Sequence, residues 1–333
     1  MRGSADNLQP VLRLVLDRAR AGSRPGARTD EHVVCLAIEG GGLRGAVSAG
    51  MCLVLEAEGL GASFDRIYGV SAGAFNGACL ASGQVAHAPG VYRDAASPRC
   101  INPWRALARR AVIDFDFLFD ELIGARGLLT AAEQRGAPEF RALATSRETL
   151  SLRVLRDFAD GAELAQAVRA SAALPGLCGT PAAFRGEAMI DGALVEAIPY
   201  RTPLRERATH VLVLRSRPAE YRVPRHWASM QRAALHRQRD LAALAGRQPE
   251  VYNRDAARLQ HATGQTVLQI AVTDRTPLIG RLEADRRRVD EAVAAGATAM
   301  SAAIALEPRH APRSRPAPAG PRTSRPAPLW LTG

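Results

Sequence analysis

A chain of 333 residues, 47% hydrophobic and 23% charged, can bury a sizeable core as one large α/β domain or two ordinary ones. Its net charge of +11 comes from 44 basic residues, all arginine, in a chain rich in Ala, Gly and Pro, so the base composition of the gene accounts for much of the excess. With no basic stripe interleaved with aromatics and no reader motif, the charge does not point to nucleic acid, although weak attraction to anionic lipid fits it.

Residues 8–20 carry apolar positions at helical spacing and predict a short amphipathic helix, followed by a Gly, Ser, Pro and Arg linker at 21–30. Val11 to Asp17 is too short and too interrupted by charge to be the apolar core of a signal peptide, and no later apolar run reaches the ~18 residues of a membrane span. Val33 to Ile38 reads as a buried strand ending in Glu39-Gly40-Gly41-Gly42-Leu43-Arg44-Gly45, and Ala46 to Glu58 as a helix closed by Gly59 and Gly61. A second strand, Phe64 to Val70, enters Gly69-Val70-Ser71-Ala72-Gly73, and a helix rich in small residues follows to Ser82. Strand, glycine loop, helix, strand, serine, helix is the order of a parallel α/β sheet with its site at the C-terminal ends of the strands.

Residues 85–103 are broken by prolines and read as loop. Between Trp104 and Ile123 the aromatic cluster Phe115, Phe117 and Phe119 with Leu118 and Leu122 fits a lid or the wall of an acyl-chain pocket, and fits the core packing of a cap helix better. Thr130 to Arg141 reads as a helix broken at Gly136 and Pro138, Leu150 to Leu155 as a strand, and Ala162 to Ala172 as a helix leading into Leu174-Pro175-Gly176. Phe184 to Ile190 runs into Asp191-Gly192-Ala193; Val211 to Leu214 and Val267 to Val272 are further strands, with 226–262 and 281–306 mainly helical. The domain is thus expected over 31–306, and the Pro, Arg, Ala and Ser segment 307–333 as a disordered tail. Cys35, Cys52, Cys79, Cys100 and Cys178 are odd in number and lack Cys-x-x-Cys spacing, which argues against a disulfide framework or a zinc site and for a cytoplasmic, reducing compartment.

Gly69 and Gly73 flank Ser71 with the spacing of a nucleophile elbow, in which a strand turns sharply into a helix and leaves a hydroxyl exposed. Alone, such a serine is more often a helix cap; the apolar strand before it and the glycine triplet ending another strand favour a nucleophile. The unobstructed N–H groups of Gly40 to Gly45 suit an oxyanion hole, and a nucleophile with an oxyanion hole implies acyl transfer. A serine hydroxyl also needs a base. None of His32, His87, His210, His226, His236, His261 and His310 lies in a triad motif, His210 being the least poor of them. Asp191 ends an apolar segment before Gly192, where desolvation would raise its basicity, although an Asp-Gly pair taken alone reads as a turn.

Gly40 to Gly45, Gly69 to Gly73, Ala170-Ser171-Ala172-Ala173-Leu174-Pro175-Gly176 and Asp191-Gly192-Ala193, in that order, resemble the patatin-like phospholipases, strongly over 33–200 and more loosely over Pro277 to Gly296. The resemblance implies a three-layer α/β/α fold with a mostly parallel sheet and a serine–aspartate dyad that cleaves lipid acyl esters without metal or cofactor. By motif position Ser71 would be the nucleophile, Asp191 the base, and Gly40, Gly41, Gly42, Leu43, Arg44 and Gly45 the oxyanion loop. Two positions depart from the pattern: Ala193 stands at the motif glycine, and Glu196-Ala197 precede Ile198-Pro199 where many members carry Asn. The expected partner is a lipid substrate with transient membrane contact and no nucleic acid; the sequence carries no signal of oligomeric state. A Ser-His-Asp esterase and a catalytically weak protein that binds membranes or partners are the competing readings.

Overall fold

The structure is a computed structural model that describes residues 9–108, 110–129, 136–262, 266–273, 276 and 279–306. The expected tail at 307–333, with His310, lies outside the described residues, as do Thr130 to Gln134 and Arg135 of the helix expected there.

Helix α1 (Pro10–Arg20) starts on a proline that suits a first helical turn and turns Val11, Leu12 and Val15 into the core. It is tied down by Arg18, whose buried guanidinium donates to Asp30 and Asp65 and to the carbonyls of His32 and Ser63. Strand β1 (Val34–Ile38) is buried throughout, as expected of a central strand covered on both faces. Its alternate residues divide: Val34, Leu36 and Ile38 join the cluster formed with α2 (Gly45–Ala57) and α3 (Ala72–Ala81), while Cys35 and Ala37 face Tyr252, Ala256 and Leu259 on the opposite side. Those two clusters make the three layers.

Strand β2 (Arg66–Val70) pairs in parallel with β1 and with β3 (Glu139–Ser146). The helix expected up to Arg141 therefore gives way to strand from Glu139 on, because the Pro138 break is followed by the apolar run Phe140 to Ala144, which the sheet buries. Residues 85–103, expected as loop, contain α4 (Ala88–Ala95), with its proline near the N-terminus where a missing N–H costs nothing. Strand β4 (Leu152–Leu155) runs antiparallel to β3, and α5 (Gly161–Ala172) is capped by the Asp160 carboxylate, which accepts from the Glu163 N–H at 2.8 Å. The segment Phe184 to Ile190 that leads into Asp191 belongs to a hairpin of β5 (Ala182–Phe184) and β6 (Glu187–Asp191), turning at Arg185 and Gly186, which both have positive φ. After α6 (Arg201–Arg205), β7 (His210–Leu214) pairs in parallel with β1 and with β8 (Val267–Ile270). The helical stretch 226–262 divides into α7 (His226–Ala234) and α8 (Arg239–His261), and α9 (Arg286–Ala305) follows.

The sheet runs β5-β6-β3-β2-β1-β7-β8, with β4 also on β3. Its register fixes one further relation. Leu143 of β3 pairs with both Val70 and Val154, and Ala144 with both Arg153 and Asp191. A strand has two edges, so β2 and β6 share one edge of β3 and β4 holds the other. β2 arrives at Val70 and β6, running the opposite way, at Asp191, on consecutive rungs.

The helix that carries the glycine loop is held from the far end of the sequence. A Cβ placed on Gly50 of α2 would collide with the Val293 backbone, and one on Gly296 of α9 with the Val47 backbone, so the two helices touch main chain to main chain. Gly296→Val is expected to destabilise the fold by about 1–3 kcal/mol through overpacking. Gly90→Ala, in α4 where a Cβ meets nothing within 4 Å, is expected to stabilise it by up to ~1 kcal/mol. Urea midpoints of the two variants moving in opposite directions would confirm this.

Candidate active site

Buried β2 delivers Ser71 at the C-terminal end of the sheet. Ser71 has φ 56° and ψ −125°, a backbone conformation that costs a non-glycine residue about 1–3 kcal/mol and survives only where neighbours enforce it. They do so from both sides. The Ser71 N–H donates to Ser171 Oγ at 2.9 Å, and that hydroxyl donates onward to the Leu143 carbonyl at 2.6 Å. The Ser71 carbonyl accepts from the N–H groups of Ala74 at 2.8 Å and Phe75 at 3.3 Å as α3 begins. Gly69 and Gly73 let α3 lie this close: a Cβ on Gly69 would stand 2.5 Å from Ala74 Cα, and one on Gly73 2.8 Å from the Glu39 carbonyl oxygen.

Asp191 ends β6 opposite Ala144, one rung beyond the Leu143 that pairs with Val70. Its N–H donates to the Ala173 carbonyl at 3.0 Å and its carbonyl accepts from Thr145 Oγ1 at 3.1 Å, so its backbone is fixed on two sides. One carboxylate oxygen accepts the Ala193 N–H at 2.8 Å. Burial raises its pKa above the ordinary 3.8, against the lowering effects of the Ala193 N–H, the nearby Ser71 hydroxyl and the Arg281 charge. Ser71 and a buried carboxylate of raised pKa thus line the same cavity.

The glycine loop follows β1. Glu39 continues the ladder by donating its N–H to the Leu214 carbonyl, then turns its carboxylate back into the protein. That carboxylate accepts from Arg215 Nε at 3.1 Å, the Ser216 N–H at 2.7 Å and the Tyr252 hydroxyl at 2.7 Å, while Ser216 Oγ donates to the Gly40 carbonyl at 3.0 Å. Burial acts to raise the Glu39 pKa, yet the charges of Arg215 and Arg217 hold it below its usual value. Beyond Gly40 the N–H groups of the loop differ in availability. Gly40 donates to Ala197 at 3.5 Å, Leu43 to Arg281 at 3.1 Å, Arg44 to Gly41 at 3.3 Å and Gly45 to Gly42, each to a carbonyl oxygen. For Gly41 and Gly42 no acceptor is found among the described residues, and both line the cavity beside Ser71. Of the six residues expected to form the oxyanion loop, four therefore have N–H groups engaged in holding its shape.

Ser71 and Asp191 open onto a cavity of about 140 Å³. Its lining includes the apolar side chains Phe75, Ile113, Phe115, Phe119 and Ile123, and also Arg44, Arg217 and Arg281. The aromatic stretch expected foremost as core packing thus does both: Phe119 and Leu122 are buried, and Phe119 also lines the cavity. No histidine is among the lining residues. His210 begins β7, at the end of the sheet opposite Ser71, with its ring against His32. The sequence marked Ser171 only as part of the Ala170 to Gly176 motif, with no role of its own, and did not single out Arg215, Ser216, Arg217, Tyr252 or Arg281. Arg215 to Arg217 could have been noticed, since they directly follow an apolar parallel strand, where sites in such sheets lie.

The profile of one protein family, described as patatin-like phospholipase, matches residues 36–204. A search of curated proteins finds no match. Among solved structures, VipD from Legionella pneumophila is similar at 14% identity and a TM-score of 0.42, over 83% of this chain and 67% of that one. Human GIVD cytosolic phospholipase A2, in complex with methyl gamma-linolenyl fluorophosphonate, is similar at 12% identity and a TM-score of 0.41, over 90% of this chain and 62% of that one. This chain thus spans less than two thirds of the human protein.

Ser171→Ala removes the only acceptor found for the Ser71 N–H among the described residues. The variant is expected to lose about 1–3 kcal/mol, the cost of a buried unsatisfied donor, as measured by urea denaturation. Unchanged stability would mean that the elbow holds its shape without this bond.

Proposed function

The chain belongs to the patatin-like phospholipase family, and from that premise we propose that it is a lipid acyl hydrolase of the phospholipase A type, working through Ser71 and Asp191. The observation that supports the reading is the convergence of Ser71, the buried Asp191 carboxylate and the Gly41–Gly42 loop on one cavity that is partly lined by apolar side chains. Asp191 accepts the hydroxyl proton as Ser71 Oγ attacks the ester carbonyl carbon. The Gly41 and Gly42 N–H groups receive the oxygen that becomes negative, each such donor contributing about 3 kcal/mol to the lowering of the barrier. Asp191 returns its proton to the leaving alcohol, and the tetrahedral species collapses to an acyl-serine. Water then gives its proton to Asp191, attacks the acyl carbonyl and releases the fatty acid and free Ser71. The aromatic part of the lining supports an acyl chain as the group bound there.

Contact with a lipid surface is part of the proposal. Trp227 and Met230 on α7, a helix with no buried residue, are 37% and 63% exposed, and Trp227 also lines the cavity; Trp104 and Leu107 are exposed as well. Arg225, Arg232 and Arg237 lie on or next to α7, a basic and apolar combination suited to transient contact with anionic membrane. The described cysteines are all unpaired and buried, which supports a cytoplasmic place of action. No helix among the described residues is long and apolar enough to cross a membrane.

A serine-reactive fluorophosphonate is expected to label the protein, and Ser71→Ala to abolish labelling; a labelled alanine variant would sink the reading. Asp191→Asn should keep the fold and lower esterase turnover by at least a hundredfold, the scale of a general base. Because the base must be deprotonated and burial raises the pKa of Asp191, kcat/KM should fall on acidification with a midpoint above 3.8. That limb should persist when each histidine is replaced in turn; loss of the limb with one of them would favour a Ser-His-Asp esterase.

A further inference from the structure

The cavity contains positive charge that no ion pair among the described residues matches. Arg44, Arg217 and Arg281 all line it, and only two carboxylates do, Glu39 and Asp191. Glu39 is hydrogen-bonded to Arg215, Ser216 and Tyr252, and Asp191 to the Ala193 N–H, so their charges act on the three cavity arginines only at a distance, Asp191 on Arg281 and Glu39 on Arg44 and Arg217. Among the described residues none of the three cavity guanidiniums has an ion pair within 4 Å, whereas neighbouring Arg215 has Glu39 at 3.1 Å. Arg44 is 8% exposed, and its Nε is buried without a hydrogen-bond partner. Arg217 lies over the rings of Tyr221 at 4.2 Å and Tyr252 at 5.1 Å, and none of its N–H groups has a hydrogen-bond acceptor among the described residues. Arg281 is pinned to the glycine loop: its carbonyl accepts the Leu43 N–H, and its Cγ stands 2.6 Å from where a Gly42 Cβ would be.

Like charges held together out of water repel one another and lose hydration, and a bound anion offsets both costs. Burial lowers the pKa of Arg44, and the charges of Arg217 and Arg281 lower it further; burial and Arg217 lower that of Arg281, outweighing the opposing effect of the Asp191 charge. The bidentate N–H edge of a guanidinium matches phosphate oxygens. Nothing comparable awaits an amine, since both lining carboxylates are occupied and Arg217 covers the faces of Tyr221 and Tyr252 that could hold an ammonium group.

We propose that Arg44, Arg217 and Arg281 form a subsite for a phosphate group, and that the preferred esters are glycerophospholipids whose head group is anionic without a balancing cation, phosphatidate above all. The substrate preference rests on the reading of Ser71 as the nucleophile, whereas binding at the subsite does not. Ser71→Ala protein would be titrated calorimetrically with dihexanoyl phosphatidate, dihexanoyl phosphatidylcholine and inorganic phosphate, with both lipids kept monomeric. Phosphatidate is expected to bind at least tenfold tighter than either of the others. Equal binding of the two lipids would overturn the preference for an anionic head group without a balancing cation, and inorganic phosphate binding as tightly as phosphatidate would make it a free-anion site and overturn the head-group assignment. Adding Arg217→Gln should reduce the preference for phosphatidate over phosphatidylcholine at least tenfold, and Arg217→Lys should restore part of it; a preference unmoved by Arg217→Gln would overturn the role of Arg217. In neutral detergent micelles the unaltered protein should cleave phosphatidate with at least tenfold higher kcat/KM than phosphatidylcholine of the same acyl chains, with nitrophenyl butyrate as the ester lacking a head group. Equal kcat/KM for the two lipids would sink the preference while sparing the hydrolase, and failure to cleave any of the three esters would sink the hydrolase while the titration still decides the subsite.

Discussion

Two strands that approach each other end-on along one edge of β3 determine the rest of the site. Val70 and Asp191 occupy consecutive rungs, opposite Leu143 and Ala144, so neither β2 nor β6 can continue without entering the other. Each must leave the sheet at once. The parallel strand turns into α3 through Ser71, and the antiparallel one into the short turn Gly192–Leu194. Chain collision thus sets two polar side chains side by side in a place from which the sheet and its covering helices exclude water. The desolvation that raises the Asp191 pKa follows from the same geometry.

The glycine loop needs a different kind of support, because a segment without side chains cannot anchor itself by packing. Its anchors come from the next strand along the sheet. Glu39 reaches across to Arg215 and Ser216 at the end of β7 and to Tyr252 on α8, and Ser216 returns a hydrogen bond to Gly40. A buried ion pair of this kind is weak evidence for stability, since desolvation consumes most of its Coulomb energy. What it supplies is fixity: the loop that brings Gly41 and Gly42 to the cavity is held in one shape by partners outside itself.

The parts of this arrangement legible in the sequence are those set by local constraints. Glycines at 69 and 73 are demanded by close backbone approach, and β1 and β2 announce themselves as short apolar runs before glycine or serine. Asp191 was legible through its apolar approach and the following glycine, although on local chemistry alone it could equally have been a turn residue. The hairpin of β5 and β6 was harder to see, because Arg185 takes up positive φ without being a glycine. Strand β3 was obscured by Ala and Arg, which favour helix until a sheet claims them. Ser171, Tyr252 and Arg281 serve the site from distant segments; the motif around Ser171 was visible, but no local pattern tells that a residue's role is to meet another one a hundred or more positions away.

The backbone contact between α2 and α9 has a consequence for how the molecule comes into being. The glycine loop and its helix leave the ribosome early, whereas α9 and the Arg281 carbonyl that hold them are made some 240 residues later. At a synthesis rate of roughly 5–20 residues per second, the helix would wait on the order of 12–50 s for its partner. During that interval the face of α2 around Gly50 is uncovered and the loop lacks one of its ties. The chain is therefore assembled in an order that leaves the glycine loop without its full support until α9, the last of the described helices, is made.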